Sequence, residues 1–557
     1  MDLAKLIPSR EESEALLAEV RPWRVVPERL RHWAKVKPDA PFVQCESPWL
    51  SFAEVDARSD RLAAGLHALG LRKGDRIAVM LPNCIEMILT FFAMSKLGAV
   101  MIPLNIYLKG EFLAHQLRDS QASIFVCDAA GWQSLLPIVG ELDFLHHAVF
   151  VGPDCGEDPG GAAARLKLHE YEVVAGSTGE CPAVPLTMHD LLIIMYTSGT
   201  TGPSKGCMLS HGYYMSQTWS DIKAGMLVAT DVLYSAMPMF HAAAGVRQLG
   251  QALVAGVPSV FDARFSASNF MNRVVEVGAT WVTLVVAMLR AVLAQPEAGD
   301  RKDHKIRWVS ANAASAEDQE EFERRFGCIT SSLGFGQTEG MAFTKAHLSN
   351  AIRKRGTIGH KGYFYDIQLL DDDGFPVPQG EIGEICVRPL EPQMMFSGYW
   401  RSPEKSVEAF RGLWYHTGDL GEMDEEGYFN FRGRKVDAIR RRGENVPVLE
   451  VETALGKFPA IRQAAIHPVP SELGEHEIKA CLLLQPGHEL DVAEFFEFMK
   501  RNLPYFAVPR YIEVMDEFPT TPATGRVQKA ILREKGVANA IDFEKQGFKI
   551  SVEDRRG

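Results

Sequence analysis

The residues best suited to chemistry stand in Tyr196–Gly206, which reads YTSGTTGPSKG. This stretch combines glycines, hydroxyl side chains and one lysine, Lys205. Glycines let backbone N–H groups approach an anion, hydroxyls donate hydrogen bonds and a lysine adds positive charge. The composition therefore predicts a loop that binds phosphate.

The spacing of this loop differs from that of a Walker A motif. A Walker A loop places its lysine directly after a glycine and follows it with Ser or Thr. Counted from Gly199, the sixth residue is Ser204, and Lys205 is followed by Gly206. The spacing excludes a P-loop NTPase. A loop of this composition is common, so its function depends on the motifs that accompany it.

The elements that position the loop follow an alternating pattern. The loop comes directly after the apolar run LLIIM, which predicts a buried strand. Upstream, the stretch CIEMILTFFAMSKLG predicts a helix, and four further stretches predict strands: DRIAVMLPN, AVMIPLN, SIFVCDA and HAVFVG. Strands that alternate with helices indicate an α/β fold with layered, largely parallel sheets.

The pattern of predicted strands and helices changes twice toward the C-terminus. From about Asp366, short strands with tight turns predict a small β-rich subdomain over about 366–433. After a boundary predicted at 434–437, strands and helices alternate again. We therefore predict a large N-terminal domain over 1–433 and a small α+β domain over 434–557, which is within the usual domain size.

Composition excludes several classes of protein. The chain has 557 residues, of which 46% are hydrophobic, and its net charge of −12 argues against a nucleic-acid or anionic-membrane surface. The nine cysteines show no CxxC pair and no metal-ligand spacing, which fits a reducing compartment. No run of apolar residues is long enough to span a membrane, and the first residues do not resemble a signal peptide. We expect a cytoplasmic protein.

Further motifs follow the phosphate loop in a definite order. They are PMFHAAAG, SANAAS, GFGQTEG, GEIGEICVRP, YHTGDLG, GRKVDAIRRRGENV and PTTPATGRVQK. Together with YTSGTTGPSKG, this series resembles the adenylate-forming superfamily of acyl-CoA synthetases, carrier-loading adenylation domains and firefly-type luciferases. The resemblance extends from about Leu50 to Leu532. The RRRGENVP loop is most similar to carnitine/crotonobetaine and fatty-acyl CoA ligases.

The resemblance implies a two-step reaction in an N-terminal AMP-binding domain and a mobile C-terminal domain. In the first step a carboxylate and ATP give acyl-AMP and pyrophosphate, and in the second a thiol displaces AMP. The implied ligands are ATP or AMP, coenzyme A and Mg²⁺, with a small carboxylic acid or its acyl-adenylate as substrate. Because two anions meet in the first step, neutralising charge is the main catalytic requirement.

By the same resemblance, roles are expected for individual residues. Thr338 should contact the α-phosphate and Glu339 should bind Mg²⁺. Phe335 stands where the family usually has a tyrosine stacked on adenine, and a phenyl ring stacks comparably. The remaining nucleotide-binding residues are expected to be Thr197, Ser198, Gly199, Thr200, Thr201 and Lys205 for the β- and γ-phosphates, Ala313, Ala314, Gly336 and Gln337 around the nucleotide, and Asp419 and Arg434 for the ribose.

The acyl and CoA sites have their own implied residues. His241 corresponds to the family's gate histidine at the acyl pocket, and Gly443 lets the thiol of CoA pass. Arg441, with Arg440 and Arg442, is expected to contact CoA phosphates, although a solvated basic face is the alternative for these arginines. Arg247, six residues after His241, suggests a polar or charged acid.

The sequence departs from the family pattern at two positions. Val436 replaces the usual Asp or Lys of the hinge, which still allows rotation because a hinge needs φ/ψ freedom rather than charge. Arg526 stands in TPATGRVQK where the family's catalytic lysine bridges the substrate carboxylate and the α-phosphate. Arginine is a longer planar group than lysine, so the exchange is not conservative in a tight site. Lys529 follows three residues later.

Arg526 therefore predicts weak or absent adenylation, with thioesterification of preformed acyl-AMP as the main step. A separate adenylating enzyme would then supply the acyl-AMP. Three further functions stay open: an ordinary two-step ATP-dependent acyl-CoA synthetase, an enzyme that loads a carrier protein, and a non-catalytic sensor of acyl-adenylate.

Overall fold

The computed structural model has the mixed α/β architecture that the sequence predicts, with several sheets and covering helices. It describes residues 9–152, 165–197, 204–312, 314–332, 334–345, 354–435, 439–442, 444–446, 448–471, 475–519, 527 and 529–550. No helix in these ranges is long and apolar enough to cross a membrane.

The helices cover the sheets and connect their strands. They are α1 (Arg10–Val20), α2 (Val26–Val36), α3 (Phe52–Ala68), α4 (Ile85–Leu97), α5 (Gly110–Ser120), α6 (Ala129–Leu135), α7 (Tyr171–Ala175), α8 (His211–Lys223), α9 (Leu249–Ala255), α10 (Phe270–Val277), α11 (Val286–Leu293), α12 (Ala316–Phe326), α13 (Pro403–Ala409), α14 (Val448–Leu455), α15 (Val492–Asn502) and α16 (Lys529–Glu534). A π-helix over Ala242–Gln248 precedes α9, and short 3₁₀ turns span Val139–Glu141, Glu297–Gly299 and Arg411–Leu413.

One seven-stranded sheet contains the strands predicted around the phosphate loop. Its order is β7 (Lys167–Glu170), β6 (His147–Phe150), β5 (Ile124–Cys127), β3 (Arg76–Met80), β4 (Val100–Pro103), β8 (Leu191–Thr197) and β9 (Lys205–Ser210). All neighbouring pairs are parallel except the hairpin of β8 and β9. The predictions of largely parallel strands and of helix α4 are confirmed.

A second seven-stranded sheet packs against the first. Its order is β14 (Ile329–Ser331), β13 (Trp308–Asn312), β12 (Trp281–Val285), β10 (Leu233–Ser235), β11 (Ser259–Phe261), β1 (Pro41–Gln44) and β2 (Leu50–Ser51), parallel except for the last pair. Apolar side chains of both sheets, of α4 and of α8 form one continuous core. Burial of this apolar surface is the main stabilising contribution to the layered fold.

The short strands that begin near Asp366 form an antiparallel sheet. It consists of β17 (Tyr365–Leu370), β18 (Gly383–Pro389), β19 (Tyr415–Met423) and β20 (Phe429–Arg434), and a small ribbon of β15 (Thr344–Lys345) and β16 (His360–Lys361) precedes it. A last sheet contains β23 (Ile461–Pro470), β24 (His476–Leu484), β25 (Tyr511–Val514) and β26 (Ile541–Asp542), preceded by a ribbon of β21 (Ile439–Arg441) and β22 (Glu444–Val446).

The last sheet and its helices pack on the first seven-stranded sheet. Phe125 of β5 and Met80 of β3 belong to the same apolar cluster as Ile478 of β24 and Phe495 of α15. Helix α5 contacts both α14 and α15. The C-terminal region is therefore docked directly beside the phosphate loop in this structure.

His211 predicts how stability depends on pH. It is the first residue of α8 and is fully buried, and the N–H of Val26 donates to its Nδ1 at 3.3 Å. Burial lowers the pKa of His211 to about 4. Because the unfolded chain then binds more protons between pH 6.5 and 4, stability falls as pH falls through that window, by about 3 kcal/mol.

Urea unfolding at pH 7 and pH 4 measures this difference, with His211→Asn as the comparison. Asparagine keeps an acceptor for the N–H of Val26 but does not titrate, so the pH-dependent loss should shrink by about 3 kcal/mol. An equal pH dependence in both proteins would contradict the assignment.

Candidate functional site

The two ends of the phosphate loop are held by the β8–β9 hairpin. Thr197 at the end of β8 pairs with Lys205 at the start of β9. Thr197 Oγ1 donates to the Lys205 carbonyl oxygen at 3.5 Å. Thr197 and Lys205 are therefore neighbours at the two ends of the loop. The predicted loop residues Ser198, Gly199, Thr200 and Thr201 lie outside the described ranges.

Glu339 and Lys205 meet around one aromatic ring. Glu339 is buried, and the hydroxyl of Tyr399 donates to its Oε1 at 2.7 Å. The Lys205 Nζ lies 4.6 Å from the centre of the Tyr399 ring, which is within cation–π distance. Burial and the Glu339 charge raise the pKa of the neighbouring Cys207 thiol, so this cysteine stays protonated. The cation and the carboxylate expected at the phosphates of ATP are thus within one cluster.

The residues around Glu339 fit a magnesium ion that also contacts phosphate. Mg²⁺ in such sites typically takes one or two carboxylates together with substrate phosphates and waters. The Tyr399 hydroxyl donates to Oε1 of Glu339, and the Cys207 thiol is also hydrogen-bonded to this carboxylate. The Glu339 carboxylate would hold the ion, and the ion would reduce the negative charge of the phosphates.

One face of α8 fixes the segment that carries Glu339. Tyr213, Gln217 and Asp221 are spaced four residues apart, so they share a face of the helix. The Tyr213 hydroxyl donates to the Thr338 carbonyl oxygen at 2.8 Å, and the Met341 N–H donates to Gln217 Oε1 at 3.2 Å. Asp221 pairs with Lys345. These three contacts follow the chain from 338 to 345 at regular intervals, which positions Thr338 and Glu339.

The expected nucleotide pocket is assembled from three segments. Gln337 Nε2 donates to Asp419 Oδ2 at 2.6 Å, and Asp419 is opposite Arg434 in the β19–β20 pair. Phe335 is half-buried, with its ring centre 6.4 Å from that of the exposed Phe431. A side chain at Gly336 would come within 2.4 Å of the Met341 backbone.

The predicted ribose and adenine residues are therefore neighbours. Ala314 is buried beyond the end of β13, whereas Ala313 and the side chain of Arg434 lie outside what the structure describes.

His241 contacts the C-terminal region. It precedes the π-helix Ala242–Gln248, an uncommon conformation that often occurs at functional sites. His241 Nε2 lies 2.9 Å from Glu444 Oε1, and the histidine side chain is 36% exposed. Glu444 begins β22, one residue after Gly443, which itself is outside the described ranges. The RRRGENV segment and the proposed gate histidine are thus in direct contact.

The three arginines of that segment have different environments. Arg441 is buried, its Nε lies 2.6 Å from Glu477 Oε2, and its Nη1 donates to the Val508 carbonyl oxygen at 2.5 Å. Burial lowers the pKa of Arg441 to about 10. In this arrangement Arg441 makes a structural ion pair, which disfavours the expected contact with CoA phosphates. Arg440 and Arg442 are exposed, and they lie 3.7 Å from Glu475 and 3.9 Å from Glu544, respectively.

A second carboxylate joins the C-terminal region to the phosphate loop. Glu450 of α14 accepts a hydrogen bond from the Ser204 N–H at 2.6 Å through Oε1. Burial raises the pKa of the Glu450 carboxyl group. On the other side of the same residue, His115 Nε2 lies 3.0 Å from the Ser204 carbonyl oxygen. A backbone donor next to Lys205 is therefore occupied by a protein carboxylate rather than by phosphate.

Arg526, at the position of the family's catalytic lysine, lies outside the described residues, and so does the hinge residue Val436. Lys529 is described, and its Nζ lies 2.6 Å from Glu452 Oε1. Both partners belong to the C-terminal region, so a rigid rotation of that region would keep the pair. Lys529 is consequently a poor replacement for the missing lysine.

Sequence reasoning missed Tyr399, Glu444, Glu450 and Asp221. Tyr399, Glu444 and Asp221 contact residues singled out from the sequence, such as Glu339 for Tyr399. Glu450 contacts Ser204, which precedes Lys205. Of these, Glu444 carried a signal, because it stands next to Gly443 in RRRGENV. The others follow from tertiary packing alone.

The chain matches two family descriptions. Residues 30–400 match the AMP-binding enzyme family, and residues 450–524 match the AMP-binding enzyme C-terminal domain. A crotonobetaine/carnitine–CoA ligase of Salmonella paratyphi A is 32% identical over 503 residues, which cover 88% of this chain and 95% of the relative.

Solved structures have the same fold. A double mutant of o-succinylbenzoate CoA synthetase from Bacillus subtilis, bound with its product analogue OSB-NCoA, matches with a TM-score of 0.79, 24% identity, and coverage of 93% of this chain and 99% of that chain. The same enzyme in complex with its acyl-adenylate intermediate OSB-AMP matches with a TM-score of 0.64, 24% identity, and coverage of 91% and 98%.

The family match spans more than half of the chain, and the motifs and the architecture agree with it. This chain belongs to the AMP-binding enzymes of the adenylate-forming superfamily, in the branch of the acyl-CoA synthetases and ligases.

Proposed function

We propose that this protein forms an acyl-CoA thioester from an acyl-AMP and CoA, and that it forms acyl-AMP from acid and ATP only weakly. The observation that carries the proposal is the contact of His241 with Glu444, 2.9 Å apart, which joins the RRRGENV segment to the acyl side of the site. Arg526 at the position of the family's lysine supports the weak first step.

The docked arrangement suits the second step. The Glu450 carboxylate accepts from the Ser204 N–H at the phosphate loop, where a bound pyrophosphate would compete with it. Docking is therefore favoured after pyrophosphate has left.

In the proposed thioesterification, the CoA sulfur attacks the acyl carbonyl carbon and the bond to the AMP phosphate oxygen breaks. AMP leaves with the electron pair, and the thiol proton goes to solvent or to a nearby base. Thr338 would contact the phosphate of AMP, while Asp419 and Arg434 would hold the ribose. We also propose that the C-terminal region begins at 434–437, between β20 and β21.

The test compares two reactions of the intact protein with a panel of acids. One mixture contains acid, ATP, Mg²⁺ and CoA, and the other contains the synthetic acyl-AMP and CoA. We expect acyl-CoA from acyl-AMP, with slow or no formation from acid and ATP. Efficient turnover of acid and ATP would instead indicate an ordinary two-step synthetase.

The same assay distinguishes a CoA ligase from a carrier-loading enzyme and from a sensor. Product with an acyl carrier protein but not with CoA would indicate a carrier-loading enzyme. Tight binding of acyl-AMP without any product would indicate a sensor. Either result would overturn the proposal.

The contact of His241 with Glu444 predicts an effect confined to the second step. Glu444→Ala removes a hydrogen bond to a carboxylate, which typically contributes enough to change a rate about tenfold. Thioester formation from acyl-AMP should slow by about that factor, while acyl-AMP formation should not change.

A double-mutant cycle with His241→Ala checks whether the two residues act together. If they do, the double variant should be no slower than the slower single variant. Full additivity of the two losses would show that the contact plays no part in the reaction.

A further inference from the structure

Three charged side chains form a buried cluster beside the proposed acyl site. Arg247 donates two hydrogen bonds to the carboxylate of Asp221 in α8, from Nε at 3.2 Å and from Nη2 at 2.8 Å. Lys345 forms an ion pair with the same carboxylate. Gln251 Nε2 donates to Asp221 Oδ2 at 2.9 Å. The side chains of Asp221 and Lys345 are each 1% exposed, and that of Arg247 is 13% exposed.

The cluster has more positive than negative charge. Asp221 is the one carboxylate that the described residues supply to both Arg247 and Lys345. The sequence that follows Lys345, residues 346–353, contains no Asp or Glu. Burying a charge without a partner costs several kcal/mol. Burial and the nearby Arg247 lower the pKa of Lys345 to about 8, in keeping with a cation that lacks sufficient counter-charge.

The cluster retains donors that protein groups do not use. Asp221 already accepts from Arg247, Lys345 and Gln251. Arg247 Nη1 has no hydrogen-bond partner among the described residues, and Lys345 Nζ donates only to Asp221 there. Arg247 is the partly exposed member of the cluster, so its Nη1 can donate to a further anion, whereas Lys345 contributes positive charge from a buried position.

Arg247 lies on the same π-helix that His241 precedes. On the π-helix, Ala242, Ala243 and Arg247 are half-buried, whereas Ala244–Val246 are buried. The half-buried residues thus share one accessible face with His241. Asp221 links Arg247 to the segment after Glu339, since Lys345 follows that segment. Ala242 and Ala243 of this face pack against the main apolar core, as do the half-buried residues Val285, Met288, Phe335 and Met341.

We propose that the acyl group activated by this protein carries a second carboxylate, which binds Arg247 at the far end of the acyl pocket and is also attracted by the buried charge of Lys345. This inference rests on the proposed function, since it names the substrate class of the same site. A distal carboxylate would balance the charge of the cluster and accept hydrogen bonds from the unused N–H groups of Arg247. A quaternary ammonium, such as that of carnitine, would be repelled by the same charges.

The first test uses the unaltered protein. Acyl-AMPs are prepared from aliphatic and aromatic dicarboxylic acids of increasing length, and each is paired with the monoamide of the same length. Thioester formation with CoA gives kcat/KM for every compound. For the length that fits, we expect the acid to exceed its amide about 10- to 100-fold, the range for a charge-assisted hydrogen bond.

A variant and a matched control locate the effect. Arg247→Gln should remove most of the preference for the acid over the amide, while Lys345 still balances Asp221. Arg307 serves as the control, because its pair with Asp231 is buried to nearly the same extent as the pair of Arg247 with Asp221. The side chains of Arg307 and Asp231 are 12% and 1% exposed. Asp231 and Arg307 stand just before strands β10 and β13, whereas Arg247 follows β10. Arg307→Gln should keep the preference even if it lowers stability.

Binding provides a readout without turnover. Thermal shifts with non-hydrolysable acyl-sulfamoyl adenosines of the acid and the amide should follow the same order. Equal kcat/KM and equal shifts for acid and amide, or a preference for apolar or cationic acids, would overturn the inference and leave the proposed function intact. If no acyl-AMP gives a thioester, the proposed function fails, and the binding order still tests the charged cluster.

Discussion

Arg526→Lys is expected to raise the rate of acyl-AMP formation from acid and ATP by about 10²–10³-fold, the size of effect seen when one positioned charge-stabilising group is lost. The substrate carboxylate and the α-phosphate repel each other as they approach. A lysine ammonium is a compact charge that fits between them, whereas the planar guanidinium of arginine is longer and directs its donors differently.

Pyrophosphate release measures this first step, and thioester formation from synthetic acyl-AMP measures the second. We expect Arg526→Lys to leave the second unchanged, because this residue acts on the adenylation side in the related enzymes. Arg526→Met serves as the control for charge. If the unaltered protein already makes acyl-AMP as fast as it consumes it, the proposal of a weak first step is wrong.

Lys529→Ala separates the two basic residues of this segment. Lys529 pairs with Glu452 inside the C-terminal region, so its removal should affect stability rather than acyl-AMP formation. A loss of adenylation in Lys529→Ala, measured in the Arg526→Lys background, would instead give Lys529 the catalytic role.

Glu339→Gln is expected to lower acyl-AMP formation by about 10²–10³-fold. Glutamine has nearly the same volume and still accepts a hydrogen bond from the Tyr399 hydroxyl. It lacks the negative charge that would hold Mg²⁺, and Mg²⁺ prefers carboxylate oxygens. The experiment is carried out in the Arg526→Lys background, where the first step is fast enough to measure.

Two further measurements separate metal binding from structural damage. The Mg²⁺ concentration needed for half the maximal rate should rise in Glu339→Gln, and it should not change in Glu323→Gln. Glu323 is a largely buried carboxylate of α12 that pairs with Arg355, away from the loop. An unchanged Mg²⁺ requirement in Glu339→Gln would contradict the role of Glu339.

Much of the fold and the family follow from the sequence. Strands such as β3 and β5 are short apolar runs, and α4 is an apolar stretch long enough for a helix, so local pattern predicts them. The order of the motifs identifies the superfamily, and the spacing after Gly199 excludes the P-loop class. The presence of arginine rather than lysine at position 526 is known from the sequence alone, because that position lies outside the described residues.

Tertiary structure decided which of these residues meet. Tyr399 joins Glu339 to Lys205, Glu444 contacts His241, and Arg441 turns inward to pair with Glu477. No local pattern contains these contacts, because the partners are separated by tens to hundreds of residues and are brought together by packing of whole sheets.

Arg247 shows the difference most clearly. As a residue six positions after His241, it suggested a polar acid, but its charge alone says nothing about what balances it. Only the folded chain brings it to Asp221 together with Lys345, so that two buried cations share one carboxylate. The sequence by itself determined the fold class, the family and the arginine at position 526. The balance of charge around the acyl group depends on long-range packing. Electrostatic interactions in a buried site depend on the distance between charges in space, not on their separation along the chain.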